Sequence, residues 1–146
     1  MIGYFDTSAL VPLVVAEPTT DACREFWDAA DTVVASRLAY VEAYAALAQA
    51  HRMRRLTDPQ LAAARALFEE LWQEVSVVEV DEPVVRTAAD YAGRFELRGY
   101  DAVHCAAADQ IEDVDTVAAT GDKKLLHAWR MLGLATYDTN QPVRSG

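Results

Sequence analysis

Five short apolar runs alternate with helical periods along this chain, and that alternation leaves few folds open to it. Ile2–Phe5, Thr32–Ser36, Val75–Val80, Thr116–Ala119 and Leu134–Tyr137 read as buried strands, with Val75–Val80 the richest in β-branched side chains. Between them, helical spacing marks Ser8–Val15, Thr19–Ala30, Leu38–Met53, Asp58–Glu74, Glu82–Glu96, Tyr100–Gln110 and Asp122–Met131. Pro59 suits the first turn of a helix capped by Thr57 or Asp58. Strands separated by helices pair in parallel, and a parallel sheet needs cover on both faces. The crossovers are then right-handed. Such sheets bind their ligands beyond the carboxyl ends of the strands.

Four acids stand where a globular fold has little need of charge. Asp6 ends the first apolar run and Asp122 follows Val117-Ala118-Ala119-Thr120-Gly121. Both therefore fall at the same edge of the expected sheet. Glu42 interrupts the apolar stretch Leu38–Ala48, and Asp101 opens the helix that continues Ala102-Val103-His104-Cys105. Each has an ordinary reading. Asp6 and Asp122 suit helix caps, Asp101 suits the dipole of a first turn, and Glu42 suits a helix edge in water. Yet Asp6-Thr7-Ser8 offers three capping residues to one helix. Four carboxylates sharing one pocket would also be costly unless a cation joined them. An oxygen-only ligand set suits Mg²⁺ or Mn²⁺.

The chain has 146 residues, 52% of them hydrophobic, which fits one domain over 1–146 with a flexible tail at 140–146. No apolar run has the length of a membrane span. Met1–Asp6 shows no basic region or cleavage site, so no secretory signal is expected. Cys23 and Cys105 both fall in helical patterns and read as free, buried hydrophobes. A reducing, cytoplasmic location follows as the expectation. The net charge of −10 opposes a polyanionic partner, unless divalent cations reverse the local sign at the acids. Basic residues are clustered: Arg52, Arg54 and Arg55 follow one helix, and Lys123 and Lys124 follow Asp122. The first cluster suits either a helix C-terminus or a phosphate contact.

Other chemistries have weaker support. Asp101, His104 and Cys105 lie on neighbouring helix faces, but a zinc site needs further ligands, and His51 and His127 lack matching spacing. His104 reads as a packed, hydrogen-bonded histidine. No Ser–His–Asp or Cys–His pattern suggests a covalent nucleophile.

Taken with their order and spacing, four segments carry a resemblance. They are Tyr4-Phe5-Asp6-Thr7-Ser8-Ala9-Leu10, the Glu42 helix, Leu97-Arg98-Gly99-Tyr100-Asp101-Ala102-Val103-His104, and Ala119-Thr120-Gly121-Asp122-Lys123-Lys124-Leu125. Over roughly residues 2–137 the chain resembles the PIN-domain ribonucleases, and among them the VapC toxins of bacterial toxin–antitoxin pairs. The resemblance implies a three-layer α/β/α sandwich with a central parallel sheet. It implies that Asp6, Glu42, Asp101 and Asp122 form a catalytic Mg²⁺/Mn²⁺ site, with Thr120 and Ser8 supporting it by hydrogen bonds. It implies a single-stranded RNA substrate, a homodimer, and a VapB-like antitoxin covering the site. Arg98, Lys123, Arg52, Arg54 and Arg55 are the candidate RNA contacts. Some relatives carry another acid just after the position of Asp122, where this chain has Lys123-Lys124. Two other readings compete. A haloacid-dehalogenase-type phosphatase would use Asp6 as nucleophile, but Ser8 stands where a second Asp is usual. A PIN-like module kept for protein binding would retain the acids without turnover.

Overall fold

A computed structural model describes residues 1–111 and 113–143. The chain runs β1 (Ile2–Phe5), α1 (Thr7–Leu10), a 3₁₀ turn (Val11–Leu13), α2 (Thr20–Ala29), β2 (Thr32–Ser36), α3 (Leu38–Arg52) and α4 (Asp58–Trp72). It continues with β3 (Val75–Val78), α5 (Glu82–Phe95), α6 (Gly99–Asp109), β4 (Thr116–Thr120), α7 (Lys123–Met131) and β5 (Ala135–Asp138). Every expected strand is present and every pairing is parallel, in the order β3-β2-β1-β4-β5. The one expected element that changes is Ser8–Val15. Pro12 lacks an N–H and fixes its own φ, so the helix shortens to α1 and tightens into the 3₁₀ turn.

Alternation along the strands builds two cores. Tyr4, Val34 and Ala118 face α5, α6 and α7, where Tyr91, Cys105 and Trp129 are buried. Phe5, Val33, Ala35 and Ala119 face the other way, against Leu10, Cys23, Phe26 and Ala39. The result is a three-layer α/β/α sandwich with the sheet at its centre. Gly3 permits the close approach of α2, since a Cβ there would stand 3.0 Å from both Ala30 Cβ and the Phe26 ring. Cys23 and Cys105 lie on opposite faces and are free, with burial raising their thiols to about 11 and about 12. Among the described residues no helix is long and apolar enough to cross a membrane.

The sheet order sets the position of the site. The chain leaves β1 to build β2 and β3 on one side, then returns to build β4 and β5 on the other. The carboxyl ends of β1 and β4 therefore flank the switch in strand order, where a crevice opens. Of the expected flexible tail, 144–146 lie outside the described residues. Asn140 is tied down: its N–H donates to Asp138 Oδ1 at 2.9 Å and its side-chain amide to the Gly121 carbonyl at 2.8 Å.

Candidate active site

Asp6 and Asp122 follow the two strands that flank the crevice, and each also caps a helix. Asp6 Oδ1 accepts from the Ala9 N–H at 3.2 Å, and Asp122 Oδ1 accepts from the Leu125 N–H at 2.9 Å. Capping does not account for the rest of the Asp6 environment. Asp6 is only 4% exposed, Ser8 Oγ donates to its Oδ1 at 2.6 Å, and Thr120 Oγ1 donates to its Oδ2 at 2.7 Å. Each hydroxyl has one hydrogen, and both hydrogens go to Asp6. Their lone pairs accept from the next loop: Gly121 N–H donates to Ser8 Oγ at 2.9 Å and Asp122 N–H to Thr120 Oγ1 at 3.0 Å. The β4–α7 loop is thus tied through two hydroxyls to the Asp6 carboxylate. Burial raises the Asp6 carboxyl, and the hydrogen bonds and the charge of His104 offset only part of that rise.

Asp101 enters from the first turn of α6. Glu96 ends α5 in the left-handed conformation, φ 55°, and turns the chain into Leu97 and Arg98, which caps α6. Asp101 and Asp122 then line one cleft of about 410 Å³ with Glu96, Leu97, Arg98, Lys123 and Lys124. Burial raises the Asp101 carboxyl, and the negative charges of Asp122, Asp6 and Glu42 raise it further.

Glu42 lies beside the buried stripe Ala39, Ala43, Leu47 and Ala50 of α3. Its Oε1 accepts from Thr7 Oγ1 at 2.7 Å and meets His104 Nε2 at 2.6 Å. His104 is 2% exposed, and its Nδ1 stands 2.8 Å from the Tyr4 hydroxyl. Burial alone would raise the Glu42 carboxyl, but the His104 bond and charge, with the Thr7 hydroxyl, leave it below its usual value. Burial likewise lowers the His104 imidazole, and Glu42, Asp6 and Asp101 more than restore it, leaving it raised.

In the sequence Thr7 stands out only as a spare capping residue, and Tyr4 only as part of a buried strand. The surplus of capping residues was the available signal, because Asp6 caps, Ser8 bonds Asp6, and Thr7 turns to Glu42. Of the basic candidates, Arg98 and Lys123 line the acidic cleft. Arg52 stands ten residues beyond Glu42 on α3, about 15 Å along the axis. Arg54 has φ 61° just past that helix, and Arg55 Nη2 reaches Glu17 Oε1 at 3.5 Å.

Among the described residues, no three carboxylate, imidazole or thiolate groups converge at the spacing of a metal site. The chemistry of the donor set nonetheless suits a hard divalent cation. The four acids supply only oxygen, and Asp101 already feels the charge of the other three. The same charges predict a pH effect in EDTA. His104 is raised above 6.5, so its contribution to stability is full below pH 6.5 and is lost as pH climbs through its folded value. Asp6 and Asp101 are raised above 3.8, so their ionised forms destabilise the fold at neutral pH, and that penalty fades as pH falls. The melting temperature in EDTA is expected to be higher at pH 6 than at pH 8. An equal or reversed order would show that these groups are not coupled as described.

A PIN domain family model matches residues 3–129. Ribonuclease VapC49 of Mycobacterium tuberculosis is 40% identical over 122 residues, which cover 84% of this chain and 85% of that protein. Among solved structures, Mycobacterium tuberculosis VapC20, described as a sarcin-ricin loop cleaving toxin, superposes with a TM-score of 0.66 at 20% identity, covering 86% of this chain and 94% of that one. A toxin–antitoxin complex from Klebsiella pneumoniae gives a TM-score of 0.60 at 15% identity over 84% and 88% of the two chains. At these identities the two structures establish the shared fold alone.

Proposed function

This chain belongs to the PIN domain family, and from that premise we propose that it is a metal-dependent endoribonuclease, the toxin of a toxin–antitoxin pair. The observation that carries the reading is the cleft that Asp101 and Asp122 line with Arg98, Lys123 and Lys124, with Asp6 and Glu42 near enough for their charges to raise the Asp101 carboxyl. The substrate is RNA in single-stranded form, whose exposed phosphates can enter a cleft that carries both acids and cations.

Asp6 and Asp101, with Glu42 and Asp122, would hold Mg²⁺ or Mn²⁺. When bound, the ion supplies charge for the scissile phosphate and acidifies a bound water. Ser8 and Thr120 fix both oxygens of Asp6, so the carboxylate needs no reordering when substrate arrives. Arg98 and Lys123 hold the flanking phosphates, and the loop amides at Gly121 and Asp122 keep the two sides of the crevice in register. Arg52, Arg54 and Arg55 are a second anchor for a longer strand, with Arg52 about 15 Å along α3 from Glu42. A carboxylate oxygen of this set left uncoordinated would accept a proton from water. A covalent route has little support, because Cys105 is fully buried with its thiol raised to about 12, and His104 is closed off from solvent.

Ribonuclease VapC49 supports RNA as the substrate, and the partner proposed for a toxin of this kind is a VapB-like antitoxin, in keeping with a shared fold seen in the Klebsiella pneumoniae toxin–antitoxin complex. An apolar groove of about 770 Å³, which Val80, Val85, Tyr100 and Val103 help to line, favours protein partners, including a second copy in a homodimer. A cytoplasmic setting suits an enzyme with two free thiols. The test is incubation with total cellular RNA, with Mg²⁺ or Mn²⁺ and with EDTA, beside Asp6→Asn. Discrete cleavage that requires both metal and Asp6 is expected. Thermal stabilisation by metal with no cleavage of any RNA would favour a non-catalytic protein-binding module. Covalent capture of Asp6 by a phosphate analogue would favour a phosphatase.

A further inference from the structure

We propose that His104 is a positioning residue that aims Glu42, through a buried strut running from Tyr4 to the acidic site. The inference rests on the metal-dependent reading and deepens it. Nε2 lies 2.6 Å from Glu42 Oε1. An ionised carboxylate has no hydrogen to give, so Nε2 carries the hydrogen and donates. The other ring nitrogen lies 2.8 Å from the hydroxyl of Tyr4, which is wholly buried, so the imidazole cannot swing away. The Tyr4 ring is itself held edge-on by Trp129, with centroids 5.9 Å apart. A line of contacts thus runs from the core under α7 to a carboxylate on α3.

Two features separate aiming from core filling. Thr7 Oγ1 donates to the same oxygen, Oε1, at 2.7 Å. Both donors therefore hold Glu42 by one oxygen and leave the second for a ligand. In addition, the helix that supplies Asp101 supplies His104 one turn later, so α6 places two acids at once, one directly and one through its histidine. The neighbouring α6 positions Ala102, Cys105, Ala106, Ala107 and Ala108 are small and apolar, and packing alone would not call for an imidazole among them. With 2% exposure His104 reaches no substrate, so its effect passes through Glu42. Partners of this kind usually change metal affinity by about 10–100-fold when lost.

The test is Mn²⁺ affinity by calorimetry, read alongside RNA cleavage. His104→Phe is expected to weaken Mn²⁺ by about tenfold or more. His104→Gln, whose amide can still donate to Glu42, is expected to restore it to within a few-fold of the parent. His104→Asn falls short of Glu42 and should match His104→Phe, which keeps the comparison between two polar variants if the aromatic one does not fold. In the Glu42→Gln background, His104→Phe should change Mn²⁺ affinity no further. Equal affinity in His104→Phe and the parent, no difference between His104→Gln and His104→Asn, or additive losses with Glu42→Gln would overturn the assignment while the nuclease reading stands. A parent protein that neither binds Mn²⁺ nor cleaves RNA would overturn both.

Discussion

Asp6→Asn and Asp101→Asn are each expected to lower RNA cleavage by at least about a hundredfold, roughly 2.7 kcal/mol of barrier, while the fold persists. The chemistry fails because an amide is a poor ligand for a hard cation and carries no charge to balance it. The fold survives for separate reasons at the two positions. At Asp6, the amide oxygen still accepts from Ser8 and Ala9, and only the Thr120 contact must rearrange. At Asp101, the substitution relieves a carboxyl that burial and three neighbouring acids hold above its usual range. Asp101→Asn should therefore melt higher than the parent in EDTA, by a few degrees for each kcal/mol recovered in a domain of this size. Opposite signs for activity and stability would mark a site whose acids are kept for function at the expense of the fold. Cleavage within about tenfold of the parent, under about 1.4 kcal/mol of barrier, would remove either residue from the site. A lower melting temperature for Asp101→Asn would show that its carboxylate supports the fold.

Much of this arrangement was legible in the residues, and the reasons are physical. Asp6 and Asp122 could be placed at one edge because a parallel sheet puts every strand end on the same side, and the observed register pairs Phe5 with Ala119. Apolar spacing predicts one helix over Ser8–Val15 because it continues through Pro12, whereas the backbone cannot. The sequence marks His104 as packed and hydrogen-bonded, and the structure agrees. Its partners were hidden because Tyr4 lies 100 residues away and Glu42 lies 62 away, and no local spacing encodes such contacts. The basic residues were least legible. Arg98 and Lys123 reach the cleft only because α5 ends in a left-handed turn and α7 starts directly after β4. Arg52, Arg54 and Arg55 look equivalent in sequence, but α3 carries Arg52 ten residues past Glu42, Arg54 turns the chain in the left-handed conformation, and Arg55 reaches Glu17.

Trp129→Ala is expected to cost about 3–5 kcal/mol of unfolding free energy, the range for removing a buried large aromatic side chain. Trp129 is wholly buried, and its indole N–H donates to the Cys105 carbonyl at 3.4 Å. Its ring meets Tyr4 edge-on, and Tyr4 meets His104 in the same way at 6.1 Å. Replacement by alanine opens a cavity between α6, α7 and β1 that the alanine-rich face of α6 cannot fill. The loss exceeds packing, because the Cys105 carbonyl loses a donor and Tyr4 loses the surface that fixes its hydroxyl. Urea unfolding should show a lower midpoint, and a fold that survives should also bind Mn²⁺ less well, since the strut to Glu42 loosens at its base. Trp129→Phe keeps the aromatic surface and should recover most of both. A stability loss under about 1 kcal/mol would mean that the core repacks without this ring. A large stability loss with unchanged Mn²⁺ affinity would separate the core from the site and confine Trp129 to holding the sandwich together.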